Sequence, residues 1–78
     1  MLMQDRIIVD HEILAGKPII RGTRISVEFI LELLSSGMSL EDICREYPHL
    51  KREDVLAALN YATRVLRHEE VYPTAQMA

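Results

Sequence analysis

Cysteine occurs once, at Cys44, and tryptophan not at all. A single thiol excludes an internal disulfide framework and a multi-cysteine zinc site. Aromatic side chains are scarce: Phe29, Tyr47, Tyr61 and Tyr72 are the full set. The core must therefore be built mainly from Leu, Ile and Val. No apolar run approaches the roughly 18 residues that span a membrane. The opening "MLMQDR" carries no apolar stretch of signal-peptide length and no small-residue cleavage pattern. These absences predict a soluble protein in the reducing cytoplasm.

What is present is a short chain rich in aliphatic residues. It has 78 residues, 49% of them hydrophobic, which suits a single folded domain. A domain of this size buries only about 60% of the surface that its unfolded chain exposes. Self-association is one remedy, and a homodimer is expected. The net charge is −3, but it is unevenly spread. Residues 1–25 hold four cations against three acids, and residues 26–47 one against five. Residues 48–68 hold four cations against two acids. An acidic protein thus carries local basic patches, and local charge is what attracts a polyanion.

The hydrophobic period changes along the chain. "RIIVD" and "PIIRGTRI" are short Ile and Val runs bounded by Asp10, Gly16, Pro18 and Gly22. They predict a β segment over residues 6–25, of two or three short strands. Pro18 suits the first residue of a strand, because it has no N–H to give to a ladder. Gly22 suits a positive φ or a bulge.

From Ser26 the period is helical. Val27, Ile30, Leu31 and Leu34 follow the i, i+3, i+4, i+7 spacing, with Ser26 as N-cap and Gly37 just past the end. "SLED" starts a second helix, Ser39 capping and Asp42 completing a short capping box. Leu40, Ile43, Cys44 and Tyr47 form its apolar stripe, and Pro48 stops it. A third helix is expected from about Arg52 to His68, burying Val55, Ala58, Leu59, Ala62, Val65 and Leu66. Lys51 is a poor N-cap, but Glu53 and Asp54 complement the dipole of the first turn. Each helix start also has a potential hydrophobic staple: Ile25 with Ile30, Met38 with Ile43, Leu50 with Val55. The fold class is mainly α with a short N-terminal β segment: a three-helix helix-turn-helix domain over 26–68. Residues 69–78, without period, are expected to form a flexible tail.

A short second helix, the turn "YPHLK" and a longer, basic third helix follow the plan of a helix-turn-helix. A DNA-reading role needs polar and basic groups on the outer face of the third helix. Lys51, Arg52, Ala57, Asn60, Tyr61, Arg64 and His68 are expected there, with Lys51, Arg52, Asn60 and Arg64 as DNA contacts. The plainer reading is that any three-helix domain has a solvated, charged face. "GKPIIRGTRI", residues 16–25, adds Lys17, Arg21 and Arg24 with no acid among them. It lacks the order of a phosphate-binding loop. It fits a basic arm on DNA backbone, or a structural hairpin that pairs with another subunit.

Other chemistry is thin. "DHE" at 10–12 would place Asp10 and Glu12 on one face of an extended segment, and His49 and His68 stand apart. No metal and no cofactor is expected. Cys44 on an apolar stripe reads as an inert thiol. Nothing arranges a nucleophile with a base, and no enzyme activity is expected.

Over residues Ile7 to Ala62 the chain resembles the bacterial and archaeal family called domain of unknown function 433. The distinctive pattern G-x-P-x-I-x-G-T-R is met by Gly16, Pro18, Ile20, Gly22, Thr23 and Arg24. A later G-x-S-x-E-D-I and Y-P-x-L are met by Gly37, Ser39, Glu41, Asp42, Ile43, Tyr47, Pro48 and Leu50. Members often carry Pro where this chain has His11 and Ser26. The resemblance implies a helix-turn-helix with an N-terminal β segment. In many members it also implies an antitoxin of the VapB type, paired with a PIN-like ribonuclease toxin. It would bind that toxin and its own double-stranded operator DNA. The alternative is a dimeric protein-interaction module whose helix-turn-helix is only a scaffold.

Overall fold

Ile7–Val9 (β1) and Pro18–Ile20 (β2) pair antiparallel, with Ile7 opposite Ile20, Ile8 opposite Ile19 and Val9 opposite Pro18. Pro18 opens its strand, as its missing N–H requires. The computed structural model describes residues 3–68; the expected flexible tail lies outside the described residues. A short 3-10 turn, Met3–Arg6, leads into β1, and a second, Leu14–Gly16, leads into β2. Neither is announced by the sequence pattern. Leu14 and Ala15 take left-handed φ values of 51° and 57°, a conformation that costs non-glycine residues about 1–3 kcal/mol each.

The turn after β2 is closed by its own polar groups. The Thr23 amide and hydroxyl both donate to the Ile20 carbonyl, at 3.0 and 2.8 Å. The Thr23 hydroxyl in turn accepts from the Ile25 amide at 3.0 Å. Gly22 has φ +81°, which supplies the reversal. The third strand that the sequence left open is reduced to one bridge between Ile19 and Ser26.

Three helices follow: Val27–Ser35 (α1), Leu40–Glu46 (α2) and Arg52–Leu66 (α3). Their starts follow from capping chemistry. Ser26 Oγ accepts from the Phe29 amide at 2.9 Å. Ser39 Oγ accepts from the Asp42 amide at 3.0 Å, while Asp42 accepts from the Ser39 amide at 3.1 Å. α1 ends in a Schellman motif: Met38 N–H donates to Leu33 O and Gly37 N–H to Leu34 O, with Gly37 at φ +105°.

One core holds these parts together. Ile20, Val27, Ile30, Ile43, Leu50, Val55 and Ala58 are buried in a single cluster, with Ile25, Met38, Cys44 and Tyr47 packed against it. All six staple residues therefore belong to this cluster or touch it. Phe29 of α1 meets Tyr47 edge to face, with ring centroids 5.7 Å apart. Cys44 is half-buried against the same cluster.

The buried face of α3 departs from expectation. Val55 and Ala58 are buried, but so is Ala57, expected outside, and Tyr61 packs half-buried on the core. Leu59, Val65 and Leu66, expected inside, are 40%, 36% and 79% exposed. The core side runs through Asp54, Val55, Ala57, Ala58 and Tyr61, so the helix is turned away from Leu59, while Val65 and Leu66 lie in the half of α3 that the shorter helices leave uncovered.

Candidate nucleic-acid interface

The start of α3 is fixed by one buried carboxylate. Asp54 is 6% exposed. Its Oδ2 accepts from the Lys51 amide at 2.9 Å, which replaces the side-chain cap that Lys51 cannot provide. Its Oδ1 accepts from Arg6 Nη1, also at 2.9 Å. Arg6 stands 48 residues earlier, at the end of the first 3-10 turn. A single carboxylate thus caps the helix, takes up the charge of Arg6 and ties the N-terminal segment to α3. A buried charge needs such partners to be tolerated.

Above this anchor lies an open cleft of about 400 Å³, lined by Asp5, Arg6, Arg21, His49, Lys51 and Asp54. Arg21 reaches it from the turn after β2. Its Nε donates to the Asp5 carbonyl at 2.8 Å, and its amide to the Arg6 carbonyl at 2.7 Å. Arg6 is committed to Asp54. Exposed Arg21, His49 and Lys51 are left on the rim, at the positive end of a 15-residue helix.

This arrangement redistributes the residues expected from the sequence. Lys51 and Arg21, expected on rival surfaces, share one cleft. Lys17 does not join them. It is exposed and pairs with Glu28 at 2.9 Å, and that hydrogen bond holds its ammonium above the usual lysine pKa. Arg24 lines a separate groove with Lys17, Leu14 and Phe29 beside α1. The "GKPIIRGTRI" segment is a hydrogen-bonded strand and turn, with its cations on two different sides.

On α3, Arg52 is exposed and its Nη1 lies 3.5 Å from Glu41 of α2. Asn60 is exposed and Arg64 half-buried. They stand 8 and 12 residues beyond Arg52, about 12 and 18 Å along the axis. Ala57 and Tyr61 belong to the core side. His68 follows the end of α3 at φ 64°. The contacts at the helix start therefore form a compact group, and Asn60 and Arg64 lie outside it.

Sequence reasoning missed Arg6, His49 and the anchoring role of Asp54. A signal existed for Asp54, which occupies the capping-box position three residues after Lys51. None existed for Arg6, whose partner is set by tertiary packing alone. Among the described residues no group of three or more His, Cys, Asp or Glu is placed to hold a metal ion, and no helix is long and apolar enough to cross a membrane.

This fold has relatives. The crystal structure of a DUF433 member protein from Anabaena variabilis ATCC 29413 superposes with a TM-score of 0.76 at 27% sequence identity. The match covers 85% of this chain and 65% of that one, so this chain spans just under two thirds of that protein's length. No curated protein matches the chain. Residues 7–62, the span from β1 through most of α3, match the family described as "Protein of unknown function (DUF433)", and this chain is a member of that family.

Proposed function

We propose that this protein is a DNA-binding antitoxin, acting in the cytoplasm as a homodimer without a cofactor. The cleft at the start of α3 grips operator DNA, and a separate surface binds a PIN-like ribonuclease toxin. The observation that supports the DNA role is the meeting of Arg21 and Lys51 at the N-terminal end of the third helix. In a helix-turn-helix that end approaches the duplex. Two exposed cations and a histidine, held by a rigid turn and a capped helix, suit phosphate contacts. Arg52 and Asn60 are the exposed groups with the chemistry to touch base edges. The toxin role follows from the resemblance described above.

The test is a mobility shift on the DNA upstream of the protein's own gene, measured against salt. Arg21→Ala and Lys51→Ala should each weaken binding to all sequences and flatten the salt dependence by about one unit of slope. Lys17→Ala and Arg24→Ala should leave the slope unchanged. The second reading, an interaction module with no DNA role, is favoured by the exposed leucines of α3. Absence of any shift, with and without a PIN-like nuclease added, would establish that reading instead.

A further inference from the structure

The second half of α3 is an apolar surface that the domain leaves open. Leu56, Leu59, Thr63 and Leu66 follow one another at spacings of three, four and three residues, the seam pattern of paired helices. Leu59 is 40% and Leu66 79% exposed, and neighbouring Val65 is 36% exposed. Beside them runs a groove of about 340 Å³ whose lining includes Val27, Leu31, Tyr61, Val65 and Leu66 and one charged residue, Glu28, and whose surface is mostly apolar. Leu66 both lines this groove and projects beyond it. Leu66 thus joins the leucine seam and the groove into one apolar patch, and a two-fold interface uses the same patch on both subunits.

We infer that a second copy of this chain docks here, with the two α3 helices antiparallel and Leu59 of each copy against Leu66 of the other. The geometry of α3 supports this occupant over others. Lys51 lies 11.5 residues from the midpoint of Leu59 and Leu66, about 17 Å at 1.5 Å per residue. Antiparallel pairing about that midpoint sets the two Lys51 ends about 34 Å apart. One turn of DNA, the usual spacing of half-sites, is about 34–36 Å. Pairing centred there also leaves the first turns of both helices uncovered, with their clefts free. The surface assignment stands on the exposed leucines, and the spacing argument rests on the DNA reading proposed above. A contact through the N-terminal strands, which the sequence pattern also offers, is the rival interface, and Val9 at the exposed end of β1 probes it.

The experiment is light scattering of the full chain without DNA, with circular dichroism to verify folding. The wild type should run at about twice the 9.0 kDa chain mass. Leu59→Asp and Leu66→Asp should fall to the monomer mass with helicity retained, because both positions are exposed in the single subunit. Val9→Asp, at the exposed end of β1, should stay dimeric. Thr63→Cys in a Cys44→Ser background should give a disulfide-linked dimer on mild oxidation, since position 63 lies beside the two-fold axis. A monomeric wild type, as when residues 69–78 cover the groove, would overturn the inference. So would a dimer that survives both Asp variants or dissociates only in Val9→Asp. A dimer that behaves as expected yet shifts no DNA upholds this interface and removes only the DNA reading.

Discussion

Val55 and Val65 stand ten residues apart on the same helix. Val55 is fully buried and Val65 is 36% exposed. The difference comes from lengths. α3 has 15 residues, about 22 Å, whereas α1 has nine and α2 seven. The short elements cover the first half of α3 on several sides, and the second half outruns them. The first half therefore carries the anchored, polar end of the domain, and the second half an apolar surface without enough neighbours. One helix thus offers two chemically distinct ends, which suits the DNA contact and the self-association proposed above.

The strongest way to break this comparison is to remove the anchor. Asp54→Ala should lower stability by about 2–4 kcal/mol, because it strands Arg6 and uncaps the Lys51 amide in a poorly hydrated place. Arg6 retains some contact with water, which keeps the cost below that of a fully buried pair. Chemical denaturation would register the loss as a lower midpoint at unchanged slope. A variant as stable as wild type would mean that the anchor is not what holds the N-terminal segment to α3.

A matched pair of truncations tests the two halves directly. Val55→Ala should cost about 2–3 kcal/mol through lost burial and a residual cavity. Val65→Ala should stay within about 0.5 kcal/mol when measured at concentrations low enough to keep the chain monomeric. If the second value rises with protein concentration, Val65 is being covered by association. Equal costs at high dilution would mean that the second half of α3 is already packed within one subunit.

The elements themselves were legible in the sequence, and the reason is local. Ser26, Ser39 with Asp42, Gly37 and Pro48 each act within four residues of their own position, so helix starts and stops are written where they occur. The facing of α3 was not legible. Val55, Ala58, Ala62 and Val65 make one apolar stripe, and Leu56, Leu59 and Leu66 make another. Choosing between them requires knowing which neighbours reach that far. The cleft was legible only in part for the same reason. Lys51 and Arg21 were both identified as cations of interest, but their meeting depends on where the turn after β2 folds. The Arg6–Asp54 pair depends on packing between residues 48 positions apart.

Backbone freedom at the turn that delivers Arg21 gives a smaller effect. A Cβ on Gly22 meets nothing within 4 Å, so space is not the constraint; φ is +81°. Gly22→Val should cost about 1–3 kcal/mol from strain alone. Lys17→Ala, which removes only an exposed, solvent-screened ion pair, should cost less. Denaturation midpoints of the two variants compare the effects directly. Gly22→Val should also weaken DNA binding as Arg21→Ala does, because the same turn aims Arg21 into the cleft. Indistinguishable midpoints would show that the turn relaxes to accept a β-branched residue.

The smallest effect is a pH dependence at the start of α2. Asp42 accepts hydrogen bonds from the Ser39 amide and from Arg45, and these hold its carboxyl below the ordinary aspartate value of 3.8. A carboxyl whose pKa is lowered on folding stabilises the folded state in full above its unfolded pKa. That contribution is lost as pH falls through the lowered folded value. Asp42→Asn keeps an oxygen able to accept from the Ser39 amide but removes the titration. The variant should be slightly less stable than wild type at neutral pH, and the gap should close as pH falls below about 4. The other carboxylates titrate in both proteins and largely cancel in the difference. Denaturation midpoints of the pair at neutral pH and at about pH 2.5 would show this convergence. A gap that stays constant with pH would place the worth of Asp42 in the geometry of the cap, with its charge contributing nothing.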